Sequence, residues 1–421
     1  MEHSWVQLFD LPDEMLMIIF KELENIDVLY SLWGINTRFD KILHDSIFTS
    51  SLTLLKCLSN CFICPLPDTI LDRFCLQILS QICLKIKWLD IESSSMERIL
   101  LATEYSNLCG LGIYNITEDV AIRLFIDKTP LGRIKKNQEE LPNLRSFSLR
   151  CQLEQNYYDE LIIPLLRRMS NLESLSLYLA HDHIHRFIDG NDLKKNIINH
   201  IPRLNKFLFN IRSIISLNDQ MSLLSNNDIQ RTFSNFTGNQ IISCVDYFPK
   251  MKRGQCHAYS YPYTLNYYHN ITNNFPGGLF KRVGEISLYD EHPFEYEFFI
   301  EIAQAFPCLR KLSLSNRKGQ KLKNNNMNYP LIKYPHLNDL ELIDIHKDYV
   351  ELFLDNTKTL LSDNLCLSVE YRPLRKVTNN FKKDTMRFNC AKVIQLMIPA
   401  KFKISQRFKA YFPHVKISQF Y

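Results

Sequence analysis

One short apolar pattern recurs along most of the chain and constrains its fold more than any other feature. An apolar residue is followed by a second three positions later, and by a third two positions after that. The last two share one face of a short strand, because side chains alternate between the faces of a strand. Such repetition predicts one structural unit used many times. The pattern occurs at Ile86, Leu89 and Ile91; Leu108, Leu111 and Ile113; Leu144, Phe147 and Leu149; Leu172, Leu175 and Leu177; Leu204, Phe207 and Phe209; Val283, Ile286 and Leu288; Leu309, Leu312 and Leu314; Leu337, Leu340 and Leu342; and Val393, Leu396 and Ile398.

Stretches with helical spacing lie between several of these strands. They are residues 157–169, residues 192–201, and the segments that start at Pro293 and at Asp348. A proline precedes several of the strands, where it ends a helix and favours an extended backbone. These prolines are Pro142, Pro202, Pro307 and Pro335. The predicted unit is therefore strand, turn, helix, turn, with a spacing of 28 residues from Leu144 to Leu172 and from Leu309 to Leu337.

Residues 11–48 carry a different pattern, which predicts three short amphipathic helices. The first begins after Pro12 with the carboxylates Asp13 and Glu14, which suit the first turn of a helix. It continues with Met15, Leu16, Ile19, Phe20 and Leu23. Asp27 is the expected N-cap of a second helix with Val28, Leu29, Leu32 and Ile35, and Thr37 starts a third with Phe39, Ile42 and Leu43. A segment this short buries only a small core. It contains more apolar residues than such a core needs, which predicts that the remaining ones pack on another surface.

The ordered set in residues 11–48 resembles an F-box. It consists of Leu11 and Pro12, acidic Glu14, the apolar helix with Ile19 and Leu23, the second helix with Asp27, Val28 and Leu29, and Arg38 with Phe39, where the family usually has Trp. The resemblance implies binding to the Skp adaptor of a cullin-type ubiquitin ligase. The implied adaptor-binding residues are Leu11, Pro12, Glu14, Leu16, Ile19, Phe20, Leu23, Val28, Leu29 and Leu32.

The repeated strand pattern resembles a leucine-rich repeat. That family places Asn or Cys shortly after the last strand residue, to bond the backbone of the turn. Here Cys151 fits, whereas Ala180, Arg317 and Ile345 do not. The resemblance therefore implies an irregular solenoid, with a curved parallel sheet on one face and helices on the other.

The predicted fold class is accordingly α/β, with a three-helix F-box-like module at 1–55 and an irregular repeat solenoid at 56–421. Residues 210–279 break the period and form either an insertion or diverged repeats, and residues 318–328 are polar and predict a mobile loop. A tyrosine cluster in the first of these segments predicts either a target-binding surface or a half-buried strand. Its members are Tyr259, Tyr261, Tyr263, Tyr267 and Tyr268.

Composition narrows the class of protein. The chain of 421 residues is 46% hydrophobic, which is close to a globular average. No apolar run approaches the roughly 20 residues needed to cross a bilayer, and no signal-peptide pattern is visible. We therefore expect no membrane partner, a cytoplasmic or nuclear location, and 12 cysteines that are reduced thiols.

Net charge is +5, but its distribution is uneven. From Arg372 onward, twelve Lys and Arg residues face only Asp384, so this end carries about +11 and the remainder about −6. A basic end can meet nucleic acid, an acidic protein or a membrane, or can be a solvated surface. The charges are spread among apolar residues, which favours a solvated surface, and nucleic acid is not an expected partner.

Candidate metal and catalytic residues are few. Cys61 and Cys64 form a CxxC without a second pair, so buried thiols are favoured over a zinc site. His181, His183 and His185 alternate and could face a metal ion, although a polar loop is the favoured interpretation. Phosphate-binding glycine motifs and a GxSxG motif are absent from the sequence. We expect a non-catalytic protein without a cofactor.

The sequence thus predicts a substrate receptor that binds the Skp adaptor and its cullin scaffold through the first helices and an unknown target protein through the repeats. One alternative is a repeat scaffold whose first helices only cap the core, with no ligase partner. A more remote alternative is a metal-dependent hydrolase that uses the cluster at His181.

Overall fold

A computed structural model describes residues 8–57, 63–125, 143–182, 186–218, 223–236, 238–321, 330–399 and 404–419. Within these ranges the chain has a mixed α/β fold with parallel sheets, as expected. Four helices precede the first strand: α1 (Asp13–Lys21), α2 (Asn25–Leu32), α3 (Thr37–Leu43) and α4 (Ser46–Thr49). The other α-helices are Asp68–Arg73, Leu79–Ile82, Met96–Ala102, Glu118–Phe125, Ile163–Arg168, Gly190–Asn196, Asn226–Thr232, Tyr296–Ala305, Lys347–Leu354, Tyr371–Val377, Asp384–Ala391 and Gln406–Tyr411.

The strands are numbered in chain order. They are β1 (Ser51–Leu54), β2 (Lys56–Cys57), β3 (Ile63–Cys64), β4 (Trp88–Glu92), β5 (Gly110–Tyr114), β6 (Ser146–Gln155), β7 (Ser174–Asp182), β8 (Lys206–Ser216), β9 (Gln240–Phe248), β10 (Arg253–Tyr261), β11 (Tyr267–Ile271), β12 (Glu285–Tyr289), β13 (Lys311–Asn316), β14 (Ile332–Tyr334), β15 (Asp339–Ile345), β16 (Thr359–Leu361), β17 (Leu365–Val369), β18 (Val393–Ile398) and β19 (Lys416–Gln419).

The chain divides into two compact units. The first comprises Met1–Ser216, Ser222–Ser243 and Gln255–Ser260, and it includes the four helices α1–α4. The second comprises Leu217–Met221, Cys244–Gly254 and Tyr261–Tyr421.

An eight-stranded sheet has the order β1-β4-β5-β6-β7-β8-β10-β9. From β1 to β8 the neighbours are parallel and in register. This register aligns the second positions of the apolar pattern into one row and the third positions into another. The first row is Leu52, Leu89, Leu111, Phe147, Leu175 and Phe207, and the second is Leu54, Ile91, Ile113, Leu149, Leu177 and Phe209. Most of these side chains are fully buried, and each contributes roughly 1.5–3 kcal/mol on burial.

A seven-stranded sheet in the second unit has the order β11-β12-β13-β15-β17-β18-β19. Its strands are parallel throughout and carry an equivalent buried row at Tyr268, Ile286, Leu312, Leu340, Leu367 and Leu396. The helix Lys347–Leu354 packs against β15 and against the small parallel sheet of β14 and β16. Helices therefore cover the apolar rows from one side of this unit.

All nine strands predicted from the apolar pattern are present. Helix positions are confirmed in general but differ at their ends. The segment predicted to start at Pro293 begins its helix at Tyr296, and residues 157–169 divide into a π-helical turn at Tyr158–Ile162 and the α-helix Ile163–Arg168. Residues 210–279 also form regular structure, since they supply β9 and β10 to one sheet and β11 to the other. Most of the loop predicted at 318–328 lies outside the described residues.

Among the described residues, no helix combines the length and the apolar composition that a membrane crossing requires.

Candidate functional site

Helix α1 has apolar side chains on two different faces. Leu16 and Phe20, four residues apart, are buried inside the chain. Met15, Ile18 and Ile19 lie on a second face and are 49%, 62% and 39% exposed. At about 100° per residue these three cover an apolar stripe about 100° wide. A helix with apolar residues on this much of its circumference is normally buried on both sides, so the outward stripe is suited to covering by a second molecule.

We call Met15, Ile18, Ile19 and the following Leu23 the outward stripe of α1. Leu23 is 53% exposed and stands just beyond the end of the helix. The charged side chains Asp13, Glu14 and Lys21 lie outside this stripe on the helix. Four further apolar residues near α1–α4 are also more than one third exposed: Leu8, Phe9, Ile35 and Ile47.

The buried face of α1 packs on an aromatic cluster that fixes its orientation. The ring of Phe20 contacts Phe39 of α3 edge-on at 5.8 Å between centroids and lies 6.4 Å from Phe48 of α4. Phe9 stacks on the other side of Phe39 at 5.3 Å. Because Phe39 is completely enclosed, it is the centre of this small core.

Arg38 fastens the segment before α1 to α3. Its Nε donates to Asp13 Oδ1 at 2.7 Å, and its Nη1 donates to the carbonyl of Phe9 at 2.8 Å. Its Nη2 donates to the carbonyl of Leu11. One guanidinium therefore satisfies two backbone carbonyls and one carboxylate, which sets the start of α1 relative to α3.

Local sequence also explains the ends of α2 and α3. The side chain of Asn36 accepts a hydrogen bond from the Phe39 amide at 2.8 Å, so α3 begins at Thr37 as predicted. The prediction that Asp27 caps α2 is wrong, because α2 begins at Asn25 after Glu24. Asn25 Nδ2 donates to the carbonyls of Ile47 at 3.1 Å and Ser51 at 3.3 Å. It thereby ties the start of α2 to α4 and β1.

The predicted adaptor-binding residues fall into two groups. Leu16, Phe20, Val28 and Leu29 are at most 2% exposed, so they form the internal core and are unavailable to a partner. For Leu16 and Phe20 the sequence could not separate buried from surface residues, because both faces of α1 are apolar. Leu11 and Leu32 are half-buried, and Pro12, Glu14, Ile19 and Leu23 are exposed. The prediction left out Met15 and Ile18, which are 49% and 62% exposed, although it included their neighbour Ile19.

The tyrosine cluster is mainly packing. Tyr259 and Tyr268 are buried, which contradicts their assignment to a target-binding surface. Tyr268 lies among the rings of Phe275, Phe280 and Phe306, at centroid distances of 5.9, 5.5 and 6.1 Å. These partners come from later in the chain, so the local sequence gave no sign of them.

Two further tyrosines of the cluster support this core. Tyr263 stacks on Tyr268 at 5.1 Å, and its hydroxyl donates to the carbonyl of Tyr267 at 2.8 Å. Tyr261, Tyr263 and Tyr267 are half-buried.

The candidate metal residues do not assemble in the described part of the chain. His181 is fully buried inside β7, with its ring 5.5 Å from that of Tyr158, so the prediction of a polar loop at this position is wrong. His183, His185 and Cys61 lie outside the described residues. Within the described ranges, no group of three His, Cys, Asp or Glu residues could hold a metal ion.

The sequence was compared with protein-family models and with curated proteins, and neither comparison found a match.

Proposed function

We propose that this protein is the substrate-recognition subunit of a cullin-type ubiquitin ligase. The helices α1–α4 bind a Skp-type adaptor, and the strand-rich remainder binds a target protein. The observation that carries this proposal is the outward stripe of α1, an apolar surface that the described part of the chain leaves exposed beside a well-packed core.

The order of elements supports an F-box-like identity for residues 1–55. A Leu-Pro pair precedes α1, and α2 and α3 follow within a short distance. Arg38 holds these helices together through hydrogen bonds, and Phe39 does so through ring contacts. Such a module has a folded core of its own and an additional apolar face to offer a partner.

The aligned apolar rows support a leucine-rich-repeat-like identity for the remainder. The strands of the seven-stranded sheet follow one another in chain order, with β14 and β16 in a separate small sheet, and a helical segment joins most of the paired strands. Repeats of this kind present a long row of strands on which a target protein can lie.

The function requires no bond chemistry in this chain. A receptor that holds both the ligase and the target raises the effective concentration of target lysines near the ubiquitin-charged enzyme. The chain must supply one surface that binds the adaptor and one that binds the target protein.

The decisive experiment is co-purification of a Skp-type adaptor with the full chain. Wild type should capture the adaptor, and the double variant Met15→Ser, Ile18→Ser should lose it. Leu101→Ser is the matched control, because Leu101 is 55% exposed on the helix Met96–Ala102. Replacement of Leu11 and Pro12 by Ala should also weaken capture, since the two residues define the entry to α1. Capture that is equal in wild type and the double variant would contradict the proposal.

A scaffold without a ligase partner is the second candidate. It is favoured by the contacts of α2 and α4 with β1, the edge strand of the eight-stranded sheet. Helices in this position shield a sheet edge and the end of a core. In that case no adaptor co-purifies, and the double variant behaves as wild type in every binding assay.

A further inference from the structure

An arginine on the serine-rich face of the eight-stranded sheet lies between two tyrosine rings. Tyr114 of β5, Arg150 of β6 and Tyr178 of β7 stand side by side in register. The guanidinium carbon of Arg150 is 5.2 Å from the centroid of the Tyr114 ring and 4.8 Å from that of Tyr178. Both distances are within the range of a cation–π contact, so two neighbouring strands hold this side chain in place.

The charge of Arg150 is not neutralised by a direct partner. In the described ranges no carboxylate lies within 4 Å of its guanidinium, and its side chain makes no hydrogen bond. Its Nε is buried without an acceptor among those residues. The rings of Tyr114 and Tyr178 flank the guanidinium. A buried donor without an acceptor destabilises the free protein, and this favours binding of a group that supplies oxygen atoms.

The neighbouring positions on this face are small and polar. Ser148 precedes Arg150 by two residues on β6. Ser176 of β7 is the register partner of Ser148. Both are half-buried, and neither hydroxyl has a hydrogen-bond partner in the described part of the chain. Serine hydroxyls and an arginine edge on adjacent strands offer several donors to one oxyanion.

Two carboxylates of β4 oppose an anion on this face: Glu92, which is in register with Tyr114, and Asp90. The Asp90 carboxylate lies over Gly112 of β5, in the row that also contains Ser148 and Ser176. Burial raises the pKa of Asp90, and the positive charge of Arg150 opposes this shift at longer range. Asp90 therefore tunes the field at Arg150 without forming an ion pair with it.

We infer that Arg150, held between Tyr114 and Tyr178, binds a carboxylate or phosphate group on an extended segment of the target protein. This inference rests on the proposed function, because it assigns a chemistry to the target-binding face. A segment of protein fits better than a free ion, since Arg150, Ser148 and Ser176 are only half-buried on this face, where an extended chain can run across the strands. The rigid planar fork of Arg150 matches both oxyanions, and lysine would not reproduce this geometry.

The test uses the full chain and fluorescein-labelled Gly-Ser peptides that carry glutamates, phosphoserines or, as the neutral reference, glutamines. Binding is measured by fluorescence anisotropy at low and high salt. Wild type should bind at least one anionic peptide more tightly than the glutamine peptide, and the preference should weaken with salt. Comparison of the two anionic peptides shows whether carboxylate or phosphate is preferred.

Four variants test whether the binding of anionic peptides depends on Arg150. Arg150→Gln should weaken anionic binding by roughly tenfold, and Arg150→Lys should recover only part of it. Asp90→Asn should tighten binding, because it removes one opposing charge. Arg145→Gln is the matched control: Arg145 is 62% exposed and pairs with Glu173 at 3.5 Å, so its loss should change little. Thermal unfolding of each variant reports whether the fold is retained.

Two results would overturn the inference: equal binding of the anionic and glutamine peptides to wild type, or equal anionic binding by wild type and Arg150→Gln. If Arg150→Gln does not fold, Asp90→Asn still decides, since unchanged or weaker anionic binding in that variant contradicts the inference. Adaptor capture by Arg150→Gln should equal that of wild type. Failure at this site is therefore distinguishable from failure of the ligase proposal.

Discussion

Gly110 of β5 allows the indole of Trp88 to lie directly on the sheet, and this gives a quantitative prediction. A Cβ atom built on Gly110 would fall 2.0 Å from Trp88 Cε3 and 2.4 Å from Cζ3. Carbon atoms do not approach this closely, so in Gly110→Ala the ring must lift from β5. Trp88 is half-buried, so lifting exposes apolar surface.

The expected magnitude follows from two opposing effects. Overpacking of this kind destabilises by about 1–3 kcal/mol. Replacement of glycine by alanine reduces the conformational entropy of the unfolded chain, which raises the free energy of unfolding by about 0.4–1 kcal/mol. We therefore expect Gly110→Ala to lower the free energy of unfolding by about 1 kcal/mol.

The assay is urea unfolding combined with tryptophan fluorescence of wild type, Gly110→Ala, Trp88→Ala and the double variant. In the Trp88→Ala background the added methyl group meets no ring, so Gly110→Ala should become neutral or stabilising. Gly284→Ala is the matched control, because its nearest neighbour would be 3.8 Å away. Unchanged stability and unchanged Trp88 emission in Gly110→Ala would refute the packing argument.

Three further outcomes are expected. Leu16→Ala should lower the free energy of unfolding by about 2–5 kcal/mol, whereas Ile18→Ser should change it by less than about 0.5 kcal/mol; urea unfolding of both tests which face of α1 is internal. Asn389→Ala should destabilise by about 1–3 kcal/mol, because the buried Nδ2 of Asn389 donates to the carbonyls of Phe353 and Thr359; thermal unfolding measures the loss. Burial raises the pKa of Asp246 in the folded protein. The folded state therefore binds a proton more tightly than the unfolded state, and this adds to the free energy of unfolding at pH values below the ordinary carboxyl pKa. The added stability is lost as the pH rises through the raised pKa. Asp246→Asn should remove that dependence in urea unfolding measured across pH, and a retained dependence would contradict the assignment.

The nine strands that carry the apolar pattern were predictable because their signal is local. Leu312 and Leu314 show the two-residue alternation of a strand, and the same pattern recurs in the adjacent repeat at Leu340 and Leu342. Alternation fixes which residues share a face, and repetition fixes which strands become neighbours. Register and burial followed from the sequence without any knowledge of distant contacts.

The exposed face of α1 was not predictable for a physical reason. Leu16 and Phe20 are four residues apart, and so are Met15 and Ile19, so the sequence contains two equivalent apolar stripes. Which one is buried depends on Phe39 and the rest of the small core, and these are tertiary contacts.

The burial of Tyr268 favours the second interpretation of the tyrosine cluster, packing in a strand, and the sequence alone did not decide it because the aromatic neighbours are Phe275, Phe280 and Phe306. His181 was misjudged because β7 is nine residues long and continues past the apolar pattern.

The strands of the seven-stranded sheet lie in the order in which a ribosome releases them. When β13 leaves the exit tunnel, β12 is already available as a hydrogen-bonding template, and β15, β17, β18 and β19 each find the preceding strand of the sheet in the same way. Every addition needs only a short loop closure, which keeps its entropic cost small. Synthesis and assembly of this sheet can therefore proceed together, with each new strand added at the edge formed by the strand before it.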